Sequence, residues 1–225
     1  MTYILRKFLS FVLLIFVSWV STGTTPDSTT ISVKLDSLKN KFPNVEYAGR
    51  FQVSFYHALS AFPQLTEAKI EFVERRIKTT MQCRPKPLAI FRSKLKRKYL
   101  MVHNRDVIPK HGMPMHRLSY DARVGLYAHE IAHVLDYTRM SILEVIRMGL
   151  SYLTAAGKQT VEHRIDRMVV WMGMGPSLLR FASEVSDCEC ISNSYKIRRD
   201  RFYMKPADIK QLIRIVENKV ENVQR

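Results

Sequence analysis

The chain has 225 residues, with 36 Lys and Arg against 20 Asp and Glu, which gives a formal net charge of +16. Charged residues make up 25% and apolar residues 46% of the sequence, so general disorder and low-complexity architecture are excluded. The length suits one domain with its own core rather than a multidomain enzyme. The basic excess is typical of proteins that bind nucleic acid, anionic membranes or other acidic surfaces.

The N-terminal segment has the order of a secretory signal. Arg6 and Lys7 precede the apolar run 8–20, in which only Ser10 and Ser18 are polar, and small residues follow. A helix over such a run covers roughly 20 Å, less than the ~30 Å hydrocarbon core of a bilayer, which favours a cleaved signal. The cleavage region has no sharp site, so an uncleaved anchor formed by residues 8–20 is the alternative.

These features predict the organisation of the chain. Residues 1–23 are a signal peptide or anchor, residues 24–32 a polar linker, and residues 33–225 a single domain. We expect this domain to be exported, to the periplasm or cell envelope, where nucleic acid is scarce, so no nucleic-acid partner is expected. Arg6 and Lys7 are the only charged residues of the signal segment, so the remaining chain still carries +14.

The first part of the domain mixes helical and extended patterns. Apolar residues at three-to-four spacing predict helices over 33–41 and 51–62. Pro43 and Pro63 follow the ends of these helices within two residues. Alternation of apolar residues over 69–81 predicts extended chain. Residues 88–92 and 99–104, which flank a basic segment, predict a β-hairpin.

The predicted hairpin is strongly basic at residues 93–98, and a second basic cluster, at 196–201, occupies a predicted linker before the last helix. Such clusters could bind anionic lipid or another acidic polymer of the envelope. Ordinary solvated surface charge is the alternative. We therefore list an anionic envelope surface, bound through the basic hairpin, as an expected partner beside a peptide or protein substrate.

After Pro114 the pattern becomes helical to the end of the chain. Apolar spacing predicts helices over five segments, 120–140, 141–153, 158–172, 177–185 and 206–220. Gly173, Gly175 and Pro176 mark a break between the third and fourth of these. A few strands followed by helices predict an α+β fold, with a small antiparallel or mixed sheet packed on one helix and a helical C-terminal half.

The chemistry-bearing motif lies in the helix predicted over 120–140. His129, Glu130 and His133 form an H-E-x-x-H pattern, and residues four apart lie on one helical face, so both imidazoles can reach a single ion. The opposite face is apolar, which is typical of a helix that borders a buried cleft. A core helix whose histidines only hydrogen-bond their neighbours is the alternative.

A catalytic zinc site needs a third protein ligand. Glu162 and Asp166 share a face of a later predicted helix, so Glu162 could complete the zinc site and Asp166 could orient a ligand imidazole. His163 and Asp166 compete with Glu162 for the third place. His163 is rotated about 100° from Glu162 on the helix, so these two are not expected to bind one metal together.

The five residues His129, Glu130, His133, Glu162 and Asp166 resemble the motif of zincin metallopeptidases of the gluzincin type. Members of that family carry H-E-x-x-H on one helix and a glutamate ligand, in an E-x-x-x-D segment, on a later helix. More narrowly, the chain is similar to small exported peptidases of Bacteroidetes-type bacteria that lack assigned substrates. The resemblance covers roughly residues 70–185 and is strong at the five motif residues only.

The resemblance implies a zincin-like fold and hydrolysis of peptide bonds. His129, His133 and Glu162 would hold Zn²⁺, which lowers the pKa of a water molecule, and Glu130 would take the proton as general base. The strand at 99–104 could be the edge to which zincins add an extended substrate, or a strand buried in mid-sheet. Three tyrosines could stabilise the oxyanion or serve packing alone: Tyr127, Tyr137 and Tyr152.

Two other functions stay open on the sequence. A non-catalytic basic envelope protein would use the predicted hairpin to bind an anionic surface. A zinc amidase would apply the same activated water to a cell-wall amide, because the motif does not specify the bond that is attacked. The three cysteines, Cys83, Cys188 and Cys190, allow at most one intramolecular disulfide, either between Cys83 and one of the other two or none at all.

Overall fold

The computed structural model describes residues 28–224, so the predicted signal or anchor at 1–23 lies outside the described residues. The described chain forms eight α-helices and a three-stranded sheet. Its first elements are α1 (Ser28–Lys41), α2 (Gln52–Ser60), β1 (Lys69–Arg75), β2 (Met81–Pro85) and β3 (Lys98–Asn104). The remaining elements are α3 (Tyr120–Arg139), α4 (Ile142–Ser151), α5 (Ala155–Val169), α6 (Gly175–Asp187), α7 (Asn193–Phe202) and α8 (Pro206–Gln224). The fold class is α+β, as the order of the predicted elements indicates.

The structure changes two of the predicted boundaries and agrees with a third. Helix α1 begins at Ser28, inside the segment 24–32 for which the sequence predicts a polar linker, and the rest of that segment lies outside the described residues. The predicted linker before the last helix contains α7, which begins after Ser192, whose hydroxyl accepts a hydrogen bond from the Tyr195 N–H. The predicted break is present, because Gly173 has a left-handed φ of 83° between α5 and α6. Within residues 28–224, no helix has both the length and the apolar character of a membrane span.

The sheet is mixed, with strand order β1-β3-β2. Strand β1 runs parallel to β3, and β2 runs antiparallel to it. The segment predicted at 99–104 is therefore the central strand, and its interpretation as the edge beside a cleft is wrong. Strand β2 is an edge of this sheet and packs against α3.

The predicted β-hairpin over 88–104 is wrong. Residues Pro87–Phe91 form a 3₁₀ turn, and the antiparallel partner of β3 is β2, which includes Cys83. A short apolar run can form a strand or a 3₁₀ turn, so periodicity alone does not separate the two. Pro87, at the first position of the turn, fixes its φ near the helical value and removes an N–H that a strand would use.

The basic segment 93–98 therefore has a structural role at the end of α3. The buried Arg97 guanidinium donates hydrogen bonds to the carbonyl oxygens of Tyr137 (3.1 Å) and Met140 (2.7 Å). The Lys94 ammonium donates to the Arg139 carbonyl at 2.6 Å. Carbonyls at the C-terminus of a helix lack intrahelical partners and carry a partial negative charge, so two cations stabilise this end.

Helix α3 is buried along most of its length between α2, α6 and β2. Its first turn is capped by Ser119, whose hydroxyl accepts a hydrogen bond from the Ala122 N–H at 3.2 Å. At Gly125, one turn before His129, helix α6 approaches so closely that an added Cβ would lie 2.1 Å from the Ser177 carbonyl oxygen. The close crossing of α3 and α6 thus requires glycine at this position.

We expect Gly125→Ala to destabilise the protein by about 1–3 kcal/mol, because the new methyl group collides with the main chain of α6. Gly149→Ala is the matched control, since an added Cβ at Gly149 meets no atom within 4 Å and replaces glycine inside a helix. The free energy of unfolding of this control variant should rise by up to about 1 kcal/mol. Chemical denaturation of both variants measures the difference, and equal stability of Gly125→Ala and the wild type would contradict the close crossing.

Candidate metal centre

Two helices bring the predicted ligands together. Helix α3 presents His129 and His133 on one face, and α5 packs against it with Glu162 facing both rings. The Glu162 Oε2 atom lies 3.2 Å from His129 Nε2 and 3.4 Å from His133 Nε2. The ligand atoms of the three residues lie within 4.8 Å of one another, and all three side chains are buried. This group could bind a metal ion.

The hydrogen bonding of the three side chains is incomplete, which favours a metal site over a polar cluster that only stabilises the core. Glu162 Oε2 is buried and has no well-formed hydrogen-bond partner among the described residues. A buried carboxylate oxygen without a donor is costly, and a cation between the three side chains would satisfy it. The two imidazoles and one carboxylate are also the donor types of catalytic zinc sites.

Asp166 fixes the orientation of one ligand. Its Oδ1 atom lies 2.9 Å from His129 Nδ1, and its Oδ2 atom accepts a hydrogen bond from the Met204 N–H at 2.9 Å. With Nδ1–H donating to Asp166, the lone pair of His129 Nε2 is free to bind a metal. Asp166 thus lies where the sequence places an orienting residue, and it also ties α5 to the loop between α7 and α8.

The alternatives for the third ligand are placed differently. Among the described residues, the group that could hold a metal contains Glu162 and neither His163 nor Asp166. His163 is half-buried, and its Nε2 atom is buried without a partner. Asp166 faces Nδ1 of His129 rather than Nε2, which the metal group uses. Only Glu162 of the three therefore faces both imidazoles.

The charges of the group are strongly coupled. Burial disfavours the imidazolium form, but the hydrogen bond to Asp166 and the contact with Glu162 outweigh it and raise the pKa of His129. Burial alone would raise the pKa of Glu162, yet His129 and His133 lower it below its ordinary value. Both shifts favour a proton held between His129 and the carboxylates when no metal is bound. A metal ion would have to displace that proton, so binding should weaken as the pH falls.

Glu130 lies beside the ligands and borders water-accessible space. Burial raises the pKa of its carboxyl group, and the neighbouring His129 and His133 oppose this shift without cancelling it. Glu130, His129 and Asp166 line a cavity of about 40 Å³. The lining is mixed, and a cavity of this size with several polar side chains in its wall can hold water. Glu130, whose pKa is raised, thus lies next to the metal group and borders a space that can hold water.

The tyrosines around the site are only partly those named from the sequence. Tyr127 packs in an aromatic cluster and shares a 3.1 Å hydroxyl contact with Tyr47, so it has a packing role. Burial, followed by nearby charges that include Glu162, raises the pKa of both Tyr137 and Tyr152, so both phenols stay protonated. They retain a proton that can be donated in a hydrogen bond.

Sequence reasoning missed three residues that border the same cavity, Tyr195, Arg199 and Tyr203. The centroid of the Tyr203 ring lies 5.5 Å from that of His129. The three residues recur at intervals of four, which is the spacing of one helical face. This signal was present, but the high charge of residues 196–201 favoured a linker, so the helix that carries it was not predicted.

The cysteines do not contribute to the metal group. Cys188 and Cys190 form a disulfide between the ends of α6 and α7, and Cys83 is a buried free thiol on β2. The pairing of Cys83 with either of the other two is therefore not found. Burial, with the charge of Glu130 as a second cause, raises the pKa of the Cys83 thiol well above its ordinary value. Cys83 therefore remains a neutral packing residue beneath Glu130.

No protein-family model, curated protein or solved structure matches this chain. The resemblance to gluzincins therefore depends on the motif residues alone. What the site does has to be inferred from the chemistry of its side chains and their distances.

Proposed function

We propose that the protein is an exported zinc-dependent metallopeptidase with a zincin-like active site. The observation that carries this proposal is the convergence of His129, His133 and Glu162 beside Glu130. Two imidazole nitrogens and one carboxylate oxygen leave an open position on a four-coordinate zinc ion, which distinguishes catalytic from structural sites. The resemblance of the same residues to the gluzincin motif agrees with this proposal but depends on those residues alone.

Each side chain has a defined part in this proposal. When bound, zinc would supply Lewis acidity, which makes water more acidic and polarises a carbonyl group. Glu130 accepts the proton of the attacking water and passes it to the leaving amine. Asp166 keeps the His129 ring in the tautomer and orientation that hold the metal. The protonated phenols of Tyr137 and Tyr152 are donors that could stabilise negative charge on the substrate oxygen.

Access to the site is restricted in the described structure. His129, Glu130, His133 and Glu162 are each at most 6% exposed. The adjacent cavity of about 40 Å³ admits water but not a peptide. A substrate carbonyl can reach the site only when covering side chains such as Tyr203 shift, so we expect a closed resting form that opens on binding.

We expect Glu130→Gln to retain zinc but to lose at least about 100-fold in hydrolysis, because the amide cannot accept a proton. The assay is cleavage of a diverse peptide library, read by mass spectrometry, with bound zinc measured on the same samples. Glu67→Gln is the matched control, since Glu67 is exposed and far from the motif in sequence.

The same proteins are also incubated with purified cell-wall fragments, and three outcomes discriminate between the functions. Cleavage by the wild type and by Glu67→Gln, but not by Glu130→Gln, supports the peptidase. Cleavage of purified cell-wall fragments without cleavage of linear peptides would show that the protein is an amidase that uses the same activated water. If neither substrate is cleaved by zinc-loaded wild type, the enzymatic proposal fails.

A second candidate function is binding to an anionic membrane surface. Apolar side chains are exposed where α4 packs on the turn Pro87–Phe91, with Leu88 82%, Leu143 74% and Phe91 65% exposed. Basic residues adjoin them in sequence, notably Arg92. Exposed apolar groups beside cations are typical of segments that rest on anionic bilayers. We call Leu88, Phe91, Arg92 and Leu143 the α4 surface. We propose that this surface docks on anionic lipid.

We expect the protein beginning at residue 24 to co-sediment with vesicles that contain phosphatidylglycerol and to bind pure phosphatidylcholine vesicles more weakly. The double variant Phe91→Ser and Leu143→Ser should lose most of this binding, because burial of its apolar side chains is removed. Ile197→Ser is the matched control, since Ile197 is 71% exposed on α7, outside the α4 surface. Equal binding by both variants would exclude the α4 surface as the docking site.

A further inference from the structure

A second pocket, which we call the basic pocket, opens beside the metal centre and has a volume of about 140 Å³. It shares Tyr195, Arg199 and Tyr203 with the cavity that Glu130 lines, so the two spaces adjoin. Four of the eight lining residues are cationic and none is acidic. The peptidase proposal does not use these cations.

Lys158 links the basic pocket to the metal ligands. It lies four residues before Glu162 on α5, and residues at this spacing are neighbours on one helical face. Its ammonium group lies 4.4 Å from the centroid of the Phe202 ring on α7, which holds the side chain across the pocket. Burial, and after it the charge of Arg198, lowers the pKa of Lys158, while the carboxylate of Glu162 opposes this shift. An anion in the pocket would relieve the repulsion between Lys158 and Arg198.

Arg198 is positioned by the main chain rather than by a carboxylate. Its Nη2 atom donates hydrogen bonds to the carbonyl oxygens of Lys78 (3.0 Å) and Lys110 (3.3 Å). Among the described residues, Lys78, Lys158 and Arg198 form no ion pair, whereas the buried Arg199 pairs with Asp200 at 3.1 Å. Three cations that form no salt bridge among the described residues thus line one pocket next to the metal centre.

On the basis of the proposed peptidase function, we propose that the basic pocket binds a carboxylate of the substrate close to the scissile bond. The carboxylate belongs to an acidic side chain or to the C-terminus of the peptide. Charge-assisted hydrogen bonds to Lys and Arg are stronger than neutral ones, and an anion here also offsets the repulsion between Lys158 and Arg198. The enzyme would therefore select acidic peptides over neutral or basic ones.

The test uses four versions of one fluorescently labelled alanine-rich hexapeptide, with either Glu or Gln at an internal position and either a free acid or an amide at the C-terminus. Comparison of Glu with Gln reports a side-chain carboxylate, and comparison of acid with amide reports the terminal one. Affinity is measured by fluorescence anisotropy on zinc-loaded Glu130→Gln protein, so the readout does not require turnover.

We expect one of the two carboxylates to strengthen binding by about 10-fold, the effect of a charge-assisted contact. Adding Lys158→Met should reduce this preference to about threefold or less, while the methionine retains the apolar contact with Phe202. Lys78→Met tests a second cation that is more exposed. Lys210→Met is the matched control, because Lys210 is exposed on α8 and does not line the basic pocket, and it should leave the preference unchanged.

Two results would overturn the carboxylate site: equal binding of all four peptides, or identical preferences in Lys158→Met and Lys210→Met. The peptidase proposal is decided separately, by turnover in proteins that retain Glu130. Turnover without carboxylate preference would leave the peptidase standing and remove the basic pocket from substrate selection. Carboxylate-dependent binding without turnover would support the basic pocket as a binding site and would contradict the peptidase proposal.

Discussion

The contacts of the His129 imidazole with Asp166 and Glu162 are the interaction on which the site depends. Its two ring nitrogens face two buried carboxylates that lie one turn apart on α5. Two buried acids would repel each other without a cationic partner between them. His129 therefore couples α3 to α5, and Asp166 extends the coupling to the loop at Met204.

This interaction explains why neighbouring elements have to be held precisely. If α3 rotated or slid, the Nε2 atoms of His129 and His133 would no longer face the same carboxylate oxygen. The close crossing at Gly125 and the capping of the last α3 carbonyls by Arg97 both restrict such movement. Preorganised ligands are also what a metal needs, since loosely held side chains lose affinity for it.

The sequence predicts the features of the site that depend on spacing within a single helix. The spacing of His129 and His133, and that of Glu162 and Asp166, each place side chains on one face, so two local patterns indicate the whole metal group. The long helices could be predicted for the same reason. That the two faces meet depends on tertiary packing, which local patterns do not contain.

The unpredicted parts have identifiable causes. The apolar run 88–92 fits a strand or a turn equally well, and the proline at 87 decides for the turn. Helix α7 carries many charges, which resemble a linker, although Tyr195, Arg199 and Tyr203 show helical spacing. The basic residues behind the net charge of +16 likewise do not form one binding surface. Arg97 caps the end of α3, and other basic residues line the basic pocket.

Two imidazoles and one carboxylate, without any thiol, are the ligands that we propose for zinc in this protein. X-ray absorption at the zinc edge, on wild-type protein purified without chelators, tests that claim most directly. We expect a stoichiometric ion with a shell of nitrogen and oxygen only and with outer scattering from two imidazole rings. A sulfur atom in the shell, or the absence of stoichiometric zinc, would contradict the assignment of His129, His133 and Glu162.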